Sequence, residues 1–209
     1  MATRIRVNLC SSVVPSEPCD GKIRLGVSAC LVGQKTRYDG TDKLDRFLVE
    51  TLGKYVEFVP VCPEVECGLG VPREAMRLVG DPDSPRLVTI DTEADLTPRM
   101  NQWAARRVKE LESESARHGP PRPAGGQAGL HGFILKAGSP SCGIRNVSVY
   151  PENGGAPILA GIGLFARAIM ERFPELPAAD EDSLRDANIR EKFLKRVCRR
   201  SGTTLPPLR

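Results

Sequence analysis

Three short apolar runs in this chain are each followed by a turn that carries a cysteine. The runs cover residues 23–29, 56–61 and 132–135, and the cysteines are Cys30, Cys62 and Cys142. Short apolar runs bounded by turn residues are typical of buried β-strands. In an open α/β sheet the ligand crevice lies at the carboxyl ends of the parallel strands, so thiols that are distant in sequence can meet there. The pattern therefore predicts one metal-binding or reactive site assembled from three strand ends.

The length and composition of the chain are those of one globular domain. Its 209 residues are 40% hydrophobic and 27% charged, which is ordinary for a soluble protein with one substantial core. No apolar stretch approaches the roughly 20 residues that a membrane span needs, and residues 1–22 lack the apolar segment of a secretory signal. We therefore predict a cytoplasmic protein without a membrane partner.

The succession of predicted elements indicates an α/β fold, a single Rossmann-like domain with a largely parallel sheet flanked by helices. This domain is predicted over residues 23–175, after a flexible leader at 1–22 and before a C-terminal helix and basic tail at 176–209. The basic residues of the tail alternate with apolar ones between 192 and 200. This pattern favours an amphipathic helix with a solvated basic face, and contact with nucleic acid is the alternative.

Other elements follow from turn signals and apolar periodicity. A helix that opens near Thr41 is predicted to complete a βαβ unit, and its buried face is expected to consist of Leu44, Phe47, Leu48, Thr51 and Leu52. The remaining predicted elements are a hairpin of strands 74–78 and 86–90, a helix at 96–115, a surface loop at 118–126, a strand at 147–150, and helices at 161–173 and 181–199.

The residue types alone do not decide whether the cysteines bind a metal or cluster, act in catalysis or are simply buried. The chain has seven cysteines, and in a reducing compartment thiols serve in metal binding, catalysis or simple burial. Three thiolates would leave one iron of a four-iron cluster free for substrate, and zinc is also possible from the ligand type. A nucleophilic or redox cysteine lacks an evident partner, because the two histidines, His118 and His131, stand in no recognisable Cys-His or zinc-finger spacing.

The neighbours of two thiols carry polar groups on stiff loops. Glu64 follows Cys62 after a proline, and a Ser-Pro-Ser segment, residues 139–141, precedes Cys142. Proline fixes the local turn and so holds the polar side chains in set directions. Near an open iron the carboxylate is suited to handling protons and a serine to orienting substrate or water. The alternative for Glu64 is a loop carboxylate that caps backbone amides.

Three motifs, taken in order, resemble those of the thiouracil desulfidase family, formerly a domain of unknown function. They are Ser28–Gly33 with Arg37–Gly40, Cys62–Val65 with Gly68–Arg73, and Ser139–Gly143. The resemblance covers roughly residues 23–173. Residues 43–47 are most similar to the branch in which this domain is often fused to a second helical domain, and we expect this chain to lack that partner domain.

The resemblance implies a 4Fe-4S cluster held by Cys30, Cys62 and Cys142. It further implies that sulfur is removed from a thiolated uracil base or nucleotide, giving the oxo base and hydrogen sulfide after attack by water, with Glu64 and Ser139 as catalytic residues. The candidate substrate-binding residues, some of them donors for a nucleotide phosphate, are Ser28, Arg37, Arg73 and Lys136. Thiouridine in tRNA is a less favoured substrate, because the fusion domain is expected to be absent.

A non-catalytic role is the competing hypothesis: a metal- or cluster-stabilised binding module, with RNA as a possible partner through the basic tail. A catalytic site requires an open cavity, whereas a structural site requires closed coordination by four thiols, with Cys67 as the most plausible fourth ligand. Cys67 is also an alternative to Cys62 within the open site. We expect burial or simple exposure for the other three cysteines, Cys10, Cys19 and Cys198.

Overall fold

The computed structural model describes residues 23–118, 129–206 and 208. The predicted leader at 1–22, with Cys10 and Cys19, lies outside the described residues, as does most of the predicted loop at 118–126. The strands are β1 (Ile23–Ser28), β2 (Val56–Val61), β3 (Met76–Val79), β4 (Arg86–Thr89), β5 (Gly132–Leu135), β6 (Val147–Tyr150), β7 (Ile158–Gly161) and β8 (Ala178–Asp180). The α-helices are α1 (Pro63–Glu66), α2 (Thr97–His118), α3 (Leu164–Arg172) and α4 (Ala187–Ser201).

The main sheet is parallel throughout and has the order β2-β1-β5-β8. Its central strands β1 and β5 are almost wholly buried, which is the expected state of parallel strands covered by helices on both faces. The predicted α/β fold is therefore confirmed. Strand β8, which the sequence does not predict, continues this sheet past residue 175, where the desulfidase-like domain is expected to end.

A second, smaller sheet has the order β4-β3-β6-β7. The predicted hairpin is confirmed, since β3 and β4 pair antiparallel from Met76–Thr89 to Val79–Arg86. Strand β6 then runs parallel to β3, and β7, which was not predicted, pairs antiparallel with β6. This sheet packs against one end of the cavity described below.

The prediction of a helix opening at Thr41 is wrong. The chain instead forms a short π-helical turn at Phe47–Thr51 and a 3-10 turn at Leu52–Lys54. Two aspartate side chains accept hydrogen bonds from the backbone just before and at the start of these turns. Asp42 Oδ1 accepts from Leu44 N at 3.1 Å, and Asp45 Oδ1 accepts from Leu48 N at 3.0 Å. The Asp42 bond forms a local turn, whereas the Asp45 bond has the geometry of a helix N-cap, so the helical turns begin after Asp45 and not at Thr41. Leu48 and Leu52 are buried, as expected, but Leu44 lies before the helical turns and is 49% exposed.

Two hydrophobic clusters hold the sheets and helices together. One lies between the two sheets and helices α2 and α3, where the ring centroids of Trp103 and Phe165 are 5.1 Å apart and those of Phe133 and Phe165 are 5.8 Å apart. In the other, Phe193 and Val197 of α4 pack against β1, so the C-terminal helix has the predicted amphipathic character. None of the described helices is long and apolar enough to cross a membrane.

Candidate active site

A cavity of about 330 Å³ opens at the carboxyl end of the parallel sheet. Cys30, Cys62 and Cys142 all line it. They follow β1, β2 and β5, which are adjacent in the sheet, and this adjacency is what carries three thiols separated by up to 112 residues to one place. The predicted convergence of the three strand ends is therefore present in the structure.

Two of the thiols are presented by tight turns directly after their strands. Cys30 is in a 3-10 turn, Ala29–Val32, that follows β1. Cys62 stands immediately before α1, and its backbone N–H donates to Glu66 Oε1 at 2.8 Å. Its thiol lies 3.8 Å from the carbonyl oxygen of Thr36. The backbone at both positions is thus fixed by hydrogen bonds or a regular turn.

The third thiol is on a loop that docks against the start of α3. Ser139 Oγ accepts from the backbone N–H of Cys142 at 3.1 Å, and the backbone N–H of Phe165 donates to the Ser141 carbonyl at 3.0 Å. The first N–H groups of a helix have no partner within the helix, so the loop carbonyls satisfy them. This docking holds Cys142 in a fixed and buried position.

Replacing Gly163 with alanine is expected to displace this loop. A Cβ at Gly163 would lie 2.5 Å from the carbonyl carbon of Ser141 and 2.8 Å from the backbone nitrogen of Cys142, while its φ of −61° suits alanine. The clash is therefore steric, and we expect Gly163→Ala to lower the free energy of unfolding by about 1–3 kcal/mol, as measured by urea denaturation of the cluster-free protein.

Gly70→Ala is the matched control, because the nearest atom to its new Cβ is 3.8 Å away. We expect this variant to unfold at the wild-type urea concentration. Equal stability of the Gly163→Ala and Gly70→Ala proteins would contradict the proposed docking of the loop.

Partial or complete burial of the three thiols raises their pKa values. Burial raises the pKa of Cys30 to about 11, with a further contribution from the neighbouring Cys62, and burial likewise raises the pKa of Cys62 and of Cys142. A hydrogen bond with Ser28 acts in the opposite direction on Cys142. At neutral pH these thiols hold their protons unless a cation replaces them, so metal binding here releases protons.

Glu64 is fixed on both carboxylate oxygens. The Arg73 guanidinium donates to Oε2 from Nε at 3.0 Å and also from Nη2, and the Ser141 hydroxyl donates to Oε1 at 2.6 Å. The alternative of a carboxylate that caps backbone amides describes its neighbour Glu66 instead. Glu64 thus presents a held carboxylate to the cavity that it helps to line.

Two of the expected substrate-binding cations are engaged within the protein. Arg73 also donates to the carbonyl oxygens of Gly70, at 3.1 Å, and Thr36, at 2.9 Å. Lys136 Nζ donates to Glu181 Oε1 at 2.5 Å and to the Ala137 carbonyl at 2.8 Å. Both line the cavity, but most of their hydrogen-bonding capacity is used.

The other two expected substrate-binding residues differ from each other. The Ser28 hydroxyl is buried and accepts from Lys136 N at 2.9 Å, so it joins the ends of β1 and β5. Arg37 is more loosely held, since its closest polar partners are Thr41 Oγ1 at 3.3 Å and Asp39 Oδ2 at 3.9 Å. Arg37 is consequently the freer donor at the mouth of the cavity.

Family membership follows from the match of the chain to known proteins. The model of the 2-thiouracil desulfurase family matches residues 25–181. This chain belongs to the 2-thiouracil desulfurase family. The resemblance stated from the motifs at 23–173 is thereby confirmed, and the family match extends it through β8 and Glu181.

A solved structure of another protein supports the same family relationship. The structure of TudS, a 4Fe-4S-dependent thiouracil desulfidase, is 28% identical in sequence and superposes with a TM-score of 0.58. The match covers 82% of this chain and 99% of TudS. No curated protein sequence matches the chain significantly.

Several residues that border the cavity were not identified from the sequence. Ser141 belongs to the recognised Ser-Pro-Ser segment, but its contact with Glu64 spans 77 residues. Glu181 follows β8, whose Ala-Ala-Asp sequence lacks the β-branched residues that signal a strand. Two more residues line the cavity: Tyr38, which belongs to the Arg37–Gly40 motif, and Lys43, which follows it.

Cys67 does not belong to the cavity in this family member. It is buried in the cluster around Trp103, and its thiol donates to the Glu64 carbonyl at 3.2 Å, so it is absent from the residues that line the cavity. His131 is a buried core residue whose Nδ1 accepts from Arg24 N at 3.0 Å. Among the cysteines that the structure describes, Cys30, Cys62 and Cys142 line the open cavity, whereas Cys67 is part of the hydrophobic core.

Proposed function

We propose that this protein removes sulfur from a thiolated uracil base or nucleotide, with a 4Fe-4S cluster held by Cys30, Cys62 and Cys142. The observation that carries the proposal is that three thiols, Glu64 and Ser139 line one open cavity in a chain of this family. The similar protein TudS is a 4Fe-4S-dependent thiouracil desulfidase, which agrees with this cofactor and substrate.

The donor set suits such a cluster. Thiolates are its standard ligands, and neither His131 nor Cys67 lines the cavity to close a fourth position. Among the described residues no group of three or more Cys, His, Asp and Glu side chains can hold a single metal ion.

The chemistry divides between cofactor and protein. When held by three thiolates, the cluster supplies an iron without a protein ligand, a Lewis acid with affinity for sulfur. Glu64 then acts as general base on a water molecule that adds to the ring carbon bearing the sulfur, and the Ser139 hydroxyl orients the substrate or that water. The departing sulfur leaves as hydrogen sulfide, and no net redox change is required.

The surrounding cations suit a substrate that carries negative charge. Arg37 is the freest of the predicted phosphate donors, and a guanidinium binds phosphate oxygens through two parallel hydrogen bonds. Lys136 and Arg73 are ion-paired with Glu181 and Glu64, so Arg37 is the main phosphate donor in this proposal. A free base or a nucleotide is the preferred substrate, and a reducing cytoplasm is the compartment that keeps these thiols available for iron.

The test is incubation of the anaerobically reconstituted protein with 2-thiouracil, 4-thiouracil and their nucleoside monophosphates. We expect loss of the thiocarbonyl absorbance together with release of sulfide for at least one of these compounds. The cluster-free protein is the control and is expected to be inactive. No conversion of any of the compounds by the cluster-loaded protein would overturn the proposal.

A further inference from the structure

Ser141 lies between the two residues to which the proposed reaction assigns catalytic roles. Its hydroxyl oxygen is 2.6 Å from Glu64 Oε1 and 3.1 Å from Ser139 Oγ. The residue is only 1% exposed. Neither the proposed proton transfer nor the proposed cluster ligation uses this hydroxyl, although a buried hydroxyl that bridges two functional groups rarely occurs without consequence for both.

The direction of the hydrogen bonds follows from the donors available. A carboxylate only accepts hydrogen bonds, so the single Ser141 proton is directed to Glu64. The hydrogen bond between the two serines must then be donated by Ser139. Ser139 Oγ also accepts from the backbone N–H groups of Ser141, at 3.3 Å, and Cys142, at 3.1 Å, so the position of this oxygen is fixed.

The position of the Ser141 hydroxyl is set by the protein framework. Its carbonyl accepts from the backbone N–H groups of Phe165, at 3.0 Å, and Ala166, at 3.2 Å, at the start of α3. Gly163 packs so closely that any side chain there would meet the Ser141 backbone. The Ser141 hydroxyl is therefore held in place by the backbone, and its hydrogen bond fixes the position of the Glu64 carboxylate.

We infer that Ser141 is a positioning residue of the desulfidation reaction, an inference that rests on the proposed function. It holds the Glu64 carboxylate and the Ser139 hydroxyl in one oriented chain. Removing this hydroxyl leaves Glu64 on Arg73 alone and leaves the Ser139 proton without its acceptor. Both groups then lose the orientation that the reaction needs. Ser141 Oγ also lies 3.9 Å from Cys142 Sγ, so the iron content of each variant is measured alongside its rate.

The test compares cluster-loaded Ser141→Ala with wild type and with Ser148→Ala, a serine of β6 outside the cavity. With rates normalised to iron content, we expect kcat of Ser141→Ala to fall about 10- to 100-fold, the value of one hydrogen bond to a charged group. We expect KM to change by less than about threefold. Ser148→Ala is expected to keep wild-type kinetics.

The same substitution in a Glu64→Gln background separates positioning from packing. If Ser141 acts through Glu64, adding Ser141→Ala to Glu64→Gln lowers kcat by less than about threefold. An equal loss in both backgrounds, or an unchanged kcat in Ser141→Ala alone, would overturn the inference while leaving the proposed function intact. An inactive cluster-loaded wild type would overturn both.

Discussion

Replacing any one of Cys30, Cys62 and Cys142 with serine is expected to abolish stable cluster binding. The three thiols come from adjacent strand ends and line one cavity, and the described residues place no further thiol there that could substitute for a lost ligand. After anaerobic reconstitution we expect about four iron and four sulfide ions per wild-type chain and close to none for each variant. Colorimetric iron and sulfide determination, with the visible absorbance spectrum, provides the measurement.

Cys67→Ser and Cys198→Ser are the matched controls for this experiment. Cys67 belongs to the hydrophobic core and donates to the Glu64 carbonyl, a bond that serine can also make, and Cys198 is on α4 away from the cavity. Both proteins are expected to carry a full cluster. Iron loss in Cys67→Ser with full loading in Cys62→Ser would exchange the two assignments and contradict the ligand set.

The second large effect is expected at Glu64. Glutamine in its place keeps an acceptor for Ser141 but cannot take up a proton, so kcat of the cluster-loaded enzyme should fall by about 10²- to 10⁴-fold, the usual contribution of general acid-base catalysis. The iron content is expected to stay at the wild-type level, because Glu64 is not among the thiol ligands. Steady-state release of sulfide from thiouracil, normalised to iron, is the measurement.

Two further variants separate the chemistry from the ion pair. Glu50→Gln changes an exposed carboxylate outside the cavity and should retain full activity. Arg73→Gln breaks the same ion pair as Glu64→Gln but retains the carboxylate, so we expect it to be the more active of the two. A Glu64→Gln enzyme with wild-type kcat would show that another group activates the water.

Local sequence patterns predict those parts of the tertiary structure that depend on burial of a whole strand. The apolar run before Cys30 predicts a strand because strands buried on both faces are nearly continuous in hydrophobicity, and the run before Cys62 predicts one because it is short, rich in valine and bounded by turn residues. Parallel neighbours must then bring their carboxyl ends to the same edge. The fold class and the meeting of the three thiols therefore follow from residues alone, and the order of the motifs adds the family.

Other features depend on contacts that no local pattern records. The predicted helix start at Thr41 is wrong because Asp42 forms a local turn and Asp45 caps the helical turns that follow it, and apolar periodicity does not show which residue is the cap. The ion pair of Glu64 with Arg73 depends on the loop between them, and the bond of Glu64 to Ser141 depends on the juxtaposition of β2 and β5 through β1. Strand β8, and with it Glu181, is too short and too rich in alanine for its propensity to stand out.

The most direct test measures sulfide release from thiouracil against cluster content in one preparation of the wild-type protein. Samples reconstituted with increasing amounts of iron and sulfide are assayed anaerobically, and bound iron is determined in each after removal of the excess. We expect a rate that rises in proportion to clusters per chain and vanishes in the cluster-free protein. A rate independent of cluster content, or no sulfide release at full loading, would contradict this expectation.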